Sequence, residues 1–393
     1  MPKLSAKSRK LDMTCVLDAV NSGRMVITAL ATLVAGLLPA ATTGQESLTI
    51  DHYVAVTSMV PSIEGQVARL YVRERVLPGI ALRSHGMEDR VVVFVHGAGT
   101  PAEVAFDAPG ASWMEYLANA GYDTFSMDMT GYGRSTRPTA MNDPCNLSRS
   151  QQEDLVPVLL EAPCDPSYGF SITTIESDWN DLDAVVDYIR ATRQVERVHL
   201  VAWSLGGPRA GGYAARHPDK VSSLTLLSPA YSRNRQTERP ASAPGPAMTK
   251  QSHADLVALW NRQTPCEGQY DPEILGSVWR AMLESDPVGA TWGTGVRRAP
   301  RVTTWGWNRS EVSQQQTPML LVAPATDGQV SPERVVELFD DIGSSKKILL
   351  DLACSSHNAM WEMNRDLLFQ ASLEWLSEGT VEGVESGKIS LGR

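Results

Sequence analysis

The feature that most constrains the fold is a series of short apolar runs that alternate with helical patterns. The runs are Val91–Val95, Thr124–Met127, Val198–Ala202, Ser223–Leu227, Met319–Ala323 and Lys347–Leu352. Continuous apolar runs of this length are typical of strands buried on both faces of a parallel sheet. The helical patterns between and after them are Trp113–Asn119, Ile175–Thr192, Leu205–Arg216, Pro332–Asp341 and Met360–Leu376. This alternation predicts a doubly wound α/β fold, preceded by two antiparallel strands near Asp51–Thr57 and Gln66–Arg73.

Two segments interrupt this alternation. Residues 138–170 form a polar insertion, and residues 231–316 separate two consecutive core strands by far more than an ordinary connection. The longer segment opens with a run rich in Pro, Ala, Gly and Ser. It also carries five tryptophans, Trp260, Trp279, Trp292, Trp305 and Trp307. We interpret residues 231–316 as a cap or lid over a site, and we expect most of these indoles to form its small core.

Composition and charge limit the class of protein. Hydrophobic residues make up 42% and charged residues 20% of the chain, which favours a packed core over disorder. The chain has 35 Lys and Arg against 45 Asp and Glu, a net charge of −10. Beyond residue 41 the chain is acidic and has no basic cluster, which argues against a nucleic-acid partner.

The first 41 residues have the pattern of a signal peptide. A basic stretch precedes the apolar run Met25–Ala40, and small residues follow it. The run is short for a membrane-spanning helix, although an uncleaved anchor is the alternative. We therefore expect a secreted or periplasmic protein with no stable membrane insertion once residues 1–41 are removed.

Cysteine usage agrees with export. Cys145 and Cys164 bracket one polar loop and are candidates for a disulfide, whereas the sequence leaves open whether Cys266 and Cys354 also pair. No two cysteines have the C-x-x-C spacing of a zinc or redox site. The alternative is four free thiols in a cytosolic protein.

The sharpest local motif is His199-Leu-Val-Ala-Trp-Ser204-Leu-Gly-Gly207. An apolar strand leads directly into Ser204, and a helical pattern begins immediately after it. Such a turn strains the backbone at the serine and requires small residues two positions away on each side, which Ala202 and Gly206 provide. The hydroxyl would then stand clear of the sheet at a helix N-terminus, where negative charge is stabilised.

This motif resembles the Gly-x-Ser-x-Gly pattern of the α/β-hydrolase superfamily, with Ala202 in place of the first glycine. Two further segments are similar to family motifs: His96-Gly-Ala-Gly99 after one strand, and Asp128-Met-Thr-Gly-Tyr-Gly-Arg-Ser135 after the next. The resemblance implies an α/β-hydrolase fold with a mostly parallel eight-stranded sheet flanked by helices. A helical cap would be inserted between strands 6 and 7. The predicted domains are a core over residues 45–230 and 317–380, a cap over 231–316 and a tail over 381–393.

The resemblance also implies roles for individual residues. Ser204 would be the nucleophile, and His357, which follows the last predicted core strand, the base. Asp327, which follows the preceding strand, would orient the imidazole, so the three residues occur in the family's order. The backbone N–H groups of Ala98 and Leu205 would form the oxyanion hole. In the same family, His96 and Asp128 would have structural roles.

These residues predict a secreted serine hydrolase that cleaves a carboxylic ester or lactone, with no metal or organic cofactor. Trp203 and the tryptophan-rich segment favour a largely apolar acyl or aryl pocket. Carbon–carbon bond hydrolases, hydroxynitrile lyases and acyltransferases keep the same triad and stay open as alternatives. A non-catalytic ligand-binding protein on a hydrolase scaffold is a further alternative from a different class.

Overall fold

The computed structural model describes residues 46–81, 86–240 and 244–392, so the predicted signal peptide lies outside the described residues. A nine-stranded sheet forms its centre. In chain order its strands are β1 (Leu48–Thr57), β2 (Val67–Val76), β3 (Val91–Val95), β4 (Asp123–Met127), β5 (Val198–Trp203), β6 (Val221–Leu227), β7 (Met319–Pro324), β8 (Lys347–Leu352) and β9 (Gly387–Leu391).

The order of the strands across the sheet is β1-β2-β4-β3-β5-β6-β7-β8-β9. β1 pairs antiparallel with β2, and β2 pairs antiparallel with β4. All other neighbouring strands of this sheet are parallel. The mostly parallel α/β sheet that the sequence predicts is therefore confirmed.

The predicted count of eight strands is too low by one. The extra strand, β9, pairs with β8 at the edge of the sheet and lies in the segment 381–393 that the sequence assigned to a tail. Its residues alternate between partly buried and exposed, unlike the continuous apolar runs of the central strands. An edge strand packs on one side only, so its sequence lacks the pattern that identifies the others.

Helices cover both faces of the sheet. The longer ones are α1 (Trp113–Asn119), α2 (Ile175–Arg193), α3 (Gly206–Arg216), α4 (His253–Asn261), α5 (Pro272–Glu284), α6 (Pro332–Asp341) and α7 (Arg365–Glu378). Shorter helical segments are Pro78–Ala81, Ala102–Phe106, Arg149–Glu153 and Arg309–Val312. No helix in the described ranges combines the length and apolar character needed to cross a membrane.

Two apolar cores separate these layers. On one face, α2, α3 and α6 pack against the sheet, with the stripe of α2 that includes Ile175, Leu182 and Ile189 fully buried. On the other face, α1 and α7 pack through Trp113, which stacks on Phe369 with ring centroids 5.4 Å apart. Because the central strands are parallel, their carboxyl ends lie at the same edge of the sheet, where ligand sites form in such folds.

Residues 231–316 leave the sheet after β6 and return at β7. They contain α4, α5 and an antiparallel strand pair, Met248–Ser252 with Val296–Pro300. The five tryptophans of this segment are all buried, but four of them belong to the two cores that flank the sheet, so the prediction of a small separate core is wrong for those four. Trp260 and Trp279 join the core on the α1 side, whereas Trp305 and Trp307 join the core beneath α2 and α3.

Two disulfides are present. Cys145 pairs with Cys164 inside the polar insertion, which has only short helical segments and no strand of the central sheet. Cys266 pairs with Cys354, which joins the insertion 231–316 to the segment after β8. The pairing that the sequence left open is thus the one that links two distant parts of the fold.

Two helical glycines should respond oppositely to a methyl group. A Cβ on Gly211 in α3 would lie 2.2 Å from Cε2 of the fully buried Trp307, whereas a Cβ on Gly276 in α5 would meet nothing within 4 Å. We expect Gly211→Ala to lower the free energy of unfolding by about 1–3 kcal/mol through overpacking. Gly276→Ala should raise it by up to about 1 kcal/mol through helix propensity.

Urea denaturation of both variants measures these changes in the free energy of unfolding. Gly276→Ala is the matched control for a glycine-to-alanine change in a helix. Equal stabilisation by the two substitutions would show that α3 does not pack against Trp307 as described.

Candidate active site

Ser204 occupies a strained turn between β5 and α3. Its φ of 57° lies in the left-handed region, which non-glycine residues seldom adopt. The turn is held by backbone hydrogen bonds: Ser204 N donates to Leu227 O at 3.0 Å, and Ser204 O accepts from Gly207 N at 2.9 Å and Ala230 N at 2.8 Å. The residue is partly exposed while β5 is fully buried, so the turn brings its side chain from the core to the surface.

Close packing around this turn explains the small residues beside the serine. A Cβ on Gly206 would lie 2.5 Å from Val95 O and 3.2 Å from Cβ of Ala202. A Cβ on Gly97 would lie 2.8 Å from Cβ of Ser204, which shows how closely the loop after β3 approaches the serine. The methyl group of Ala202 fits because the residue that faces it, Gly206, has no side chain.

The two N–H groups predicted to form an oxyanion hole share one property. Neither Ala98 N nor Leu205 N donates a hydrogen bond to an acceptor in the described part of the chain. Each belongs to a peptide unit whose carbonyl is held on the opposite side. Ser204 O accepts two backbone donors, and Gly97 O accepts Nη1 of Arg209 at 3.0 Å. Because a trans peptide directs its N–H opposite to its C=O, both N–H groups are directed away from these anchors.

Arg209, on α3, is a buried cation behind the loop His96–Gly99. Its Nη1 donates to the carbonyl oxygens of His96 at 2.9 Å and Gly97 at 3.0 Å, and its Nε donates to Oδ2 of Asp178 at 2.7 Å. Both members of this ion pair are essentially inaccessible. Burial raises the pKa of Asp178, and the adjacent guanidinium opposes that rise. Sequence reasoning missed Arg209, although a charged residue among the small residues of α3 was a usable signal.

His96 is held neutral within the same network. Its Nε2 accepts the backbone N–H of Met129 at 3.1 Å, so Nδ1 carries the proton and donates to Gly97 O at 2.7 Å. Burial lowers the pKa of His96, and the charge of Arg209 lowers it further. An imidazole with both nitrogens engaged shapes the loop and has no free nitrogen for proton transfer.

Asp327 and His357 are brought together by the loops after β7 and β8. Nδ1 of His357 lies 2.8 Å from Oδ2 of Asp327, and both residues are buried. Oδ1 of Asp327 accepts the backbone N–H groups of Gln329 at 2.8 Å and Val330 at 2.9 Å. Three donors therefore fix the carboxylate, and the carboxylate fixes the imidazole so that Nε2 is the free nitrogen.

Trp203 connects the serine turn to the histidine loop. Its Nε1 donates to the carbonyl of His357 at 2.7 Å, and the two rings lie 5.3 Å apart between centroids. The indole is only 4% exposed and packs edge-on against Trp361. Ser204 Oγ makes no hydrogen bond with His357 in the described residues; the adjacent Trp203 provides the contact between the two loops.

Residues of the insertion brace the loops that carry Asp327 and His357. Glu362, fully buried, accepts Ser356 N at 2.7 Å, Trp260 Nε1 at 2.7 Å and Gln269 Nε2 at 3.1 Å. Gln263 Oε1 accepts Gly328 N at 2.9 Å, next to Asp327. Sequence reasoning missed these positioning residues, since Gln263 and Gln269 lie in a different segment from the loops they contact.

Asp128 is engaged in shaping its own turn. Its carboxylate accepts Ala102 N at 2.8 Å and Arg134 N at 3.0 Å, and burial raises its pKa to about 6. A Cβ on Gly133 would overlap this carboxylate at 1.8 Å, so the glycine is required there. Within the described residues, no group of three or more His, Cys, Asp or Glu side chains is arranged to hold a metal ion.

Removing Arg209 should destabilise the fold in a pH-dependent way. Arg209→Met leaves Asp178 buried without its cation, which we expect to lower the free energy of unfolding by about 3–5 kcal/mol at pH 8. Burial raises the pKa of Asp178, so the folded variant binds a proton more tightly than the unfolded chain. The destabilisation is therefore smallest at acidic pH and grows as the pH rises through that raised pKa.

Urea denaturation at pH 5 and pH 8 measures this difference. The control is the double variant Arg209→Met/Asp178→Asn, which removes the uncompensated charge and should recover much of the stability at pH 8. A loss of stability that is independent of pH and unrelieved by Asp178→Asn would contradict the buried ion pair.

Comparison with known proteins agrees with this architecture. A family model described as the alpha/beta hydrolase fold matches residues 90–363. AB hydrolase superfamily protein YisY of Bacillus subtilis is 25% identical over 296 residues, covering 70% of this chain and 92% of that protein. The probable lysophospholipase BODYGUARD 2 of Arabidopsis thaliana is 28% identical over 147 residues, 36% of this chain but only 22% of that protein.

Among solved structures, a serine hydrolase involved in carbazole degradation superposes with a TM-score of 0.52. It is 17% identical and covers 84% of this chain and 99% of its own. At that identity the likeness concerns the fold. With the family match over most of the described sheet, these findings show that the chain belongs to the α/β-hydrolase fold family.

Proposed function

We propose that the protein is a serine hydrolase that cleaves a carboxylic ester or lactone through an acyl-enzyme formed on Ser204. The proposal rests on one observation: the serine turn, two free N–H groups and a carboxylate-bound imidazole all follow strands at the same edge of the sheet. A strained serine turn lies beside two N–H groups directed away from their anchored carbonyls. The neighbouring Trp203 donates to the backbone carbonyl of His357, whose imidazole is held by the carboxylate of Asp327 at 2.8 Å.

In the proposed mechanism, Ser204 Oγ attacks the carbonyl carbon while Nε2 of His357 takes the hydroxyl proton. The negative charge that develops on the carbonyl oxygen is stabilised by the N–H groups of Ala98 and Leu205. His357 then protonates the leaving oxygen as the bond to the carbonyl carbon breaks. A water molecule, deprotonated by His357, releases the acyl group from Ser204.

Asp327 contributes through His357. Its carboxylate accepts the Nδ1 proton, which sets the tautomer that leaves Nε2 able to accept the serine proton. It also stabilises the imidazolium that forms in each half of the reaction. Asp327 is a positioning residue in this scheme, since it contacts no reacting atom.

We also propose that residues 231–316 act as a cap. The proposal is supported by contacts between this insertion and two loops of the site: Gln263 with Gly328, and Gln269 with Glu362. A third contact brings Arg297 against Gly99 in the loop after β3. An insertion that contacts all three loops would exclude bulk water from the acyl-enzyme except where substrate enters.

Replacing the nucleophile tests the proposal directly. We expect Ser204→Ala to lower kcat/KM for short-chain 4-nitrophenyl esters by about 10³-fold or more, with little change in stability. The matched control is Ser228→Ala, since this nearby serine also has a positive φ and its hydroxyl has no hydrogen-bond partner among the described residues. The control variant should keep wild-type rates.

A fluorophosphonate probe gives an independent readout. It should label the wild-type chain and Ser228→Ala, and the modified residue should map to Ser204 by mass spectrometry. Ester hydrolysis that survives Ser204→Ala would contradict the serine mechanism.

We further propose that the protein acts outside the cytoplasm. The pattern of residues 1–41 and the pairing of all four cysteines of the described residues in two disulfides support this. We expect residues 1–60, fused to alkaline phosphatase lacking its own leader, to give phosphatase activity in a bacterial host. That enzyme needs disulfides that form only after export. A fusion of residues 46–60 should be inactive, and equal activity of both fusions would contradict export.

A further inference from the structure

Arg297 lies against the loop that would bind the oxyanion. It belongs to the strand Val296–Pro300 of the insertion, where it pairs with Gln251 of the neighbouring strand. A Cβ on Gly99 would lie 2.2 Å from Nη1 of Arg297 and 2.4 Å from its Cζ, so the guanidinium contacts the backbone of this loop. Only glycine at position 99 leaves room for it.

The guanidinium has no carboxylate in direct contact among the described residues, and Asp255 and Asp286 attract it only from beyond salt-bridge distance. Its Nε and Nη2 both donate to Oε1 of Gln251, at 3.1 and 3.0 Å, and Nη1 donates to no described residue. No carboxylate of the described residues lies within salt-bridge distance. Other cations of this strand pair are matched: Arg298 binds Asp286 at 2.6 Å, and Lys250 binds Asp154 at 2.7 Å.

A cation in this position is unfavourable without an anion. The side chain is only partly exposed, and burial lowers the pKa of Arg297 to about 10, so the group stays charged at neutral pH. Removing a charge from water costs free energy that a neutral amide such as Gln251 repays only in part. A planar guanidinium with an unused Nη1 matches a carboxylate, which accepts two parallel hydrogen bonds.

We propose that Arg297 binds a carboxylate of the substrate, so that the protein prefers esters carrying a negative charge near the scissile bond. This inference rests on the proposed hydrolysis at Ser204 and specifies its substrate class. It adds one charged group to the expected, largely apolar pocket: apolar walls would receive the carbon chain, and one cation would receive its charged end.

The geometry of the loop supports the proximity of the two groups. Gly97 contacts Ser204, and Gly99 contacts Arg297. The Cα atoms of residues two apart are separated by no more than about 7 Å. Ala98, whose N–H is directed away from Arg209, lies between them and is exposed. An ester bound at Ser204 therefore needs only a short chain for its carboxylate to reach the guanidinium.

Matched ester pairs test this proposal. For a charge on the acyl side, 4-nitrophenyl hydrogen glutarate is compared with 4-nitrophenyl pentanoate; for the alcohol side, 4-acetoxybenzoate is compared with its methyl ester. We expect the wild-type chain to prefer the charged member of one pair. Arg297→Gln should lower kcat/KM for that member by about 10- to 100-fold, mainly through KM, and change the neutral member little.

Three further variants separate recognition from structure. Arg297→Lys keeps the positive charge but loses the paired N–H groups of the guanidinium, so it should retain part of the preference for the charged ester. Gln251→Glu supplies a counterion and should weaken the preference without loss of the neutral activity. Arg262→Gln removes the same charge from an exposed position of the insertion and should change neither rate. Equal losses on charged and neutral esters in Arg297→Gln, or a preference that survives it, would overturn the proposal.

A binding measurement distinguishes failure of this inference from failure of the proposed function. Calorimetric titration of glutarate into Ser204→Ala reports carboxylate binding without turnover. Binding that is lost in Ser204→Ala/Arg297→Gln supports the site even if no ester is hydrolysed. Hydrolysis of neutral esters by the wild-type chain, with no glutarate binding and no preference for either charged ester, would leave the hydrolase and remove the carboxylate site.

Discussion

The left-handed backbone at Ser204 is the constraint on which the site depends. A residue in this conformation costs about 1–3 kcal/mol, which the surrounding structure must offset. Here three backbone hydrogen bonds, with Leu227, Gly207 and Ala230, hold the turn between β5 and α3. The same turn brings the loop after β3 into contact with the serine side chain, so Gly97 and Gly206 must lack side chains. The geometry of the sheet, the glycines beside the turn and the position of the Ser204 hydroxyl therefore depend on one another.

Peptide planarity extends this requirement to the N–H groups beside the serine. The hydrogen bonds to Ser204 O fix the direction of the next N–H, and Arg209 does the same for the N–H of Ala98 by holding Gly97 O. A buried ion pair such as Arg209 with Asp178 is weak evidence of stabilisation. Arg209 also donates hydrogen bonds to the carbonyl oxygens of His96 and Gly97. These bonds indicate a positioning role, because they determine the side of the loop on which the N–H of Ala98 lies.

Sequence predicted the central strands because each is buried on both faces, and the observed bounds of β3 and β8 match the apolar runs. The strands after which Asp327 and His357 follow were identified in the same way. Contacts between distant segments left no local pattern in the sequence. The strand Val296–Pro300 pairs with a strand far away in the chain, and β9 is recognised as a strand only by its pairing with β8. The charge of Arg209 among small residues was visible in the sequence, but its role depends on buried partners that lie far from it in the chain.

The contacts of the insertion limit how it can move. The Cys266–Cys354 disulfide and the bonds from Trp260 and Gln269 to Glu362 join it to the loop that carries His357. A hinged opening of the whole insertion would have to break or strain these contacts. In the proposed hydrolase, substrate would therefore enter past parts of the insertion that lack these contacts. In the proposed hydrolase, selectivity would follow from fixed groups, and the guanidinium of Arg297 beside the loop His96–Gly99 is the proposed determinant of what binds.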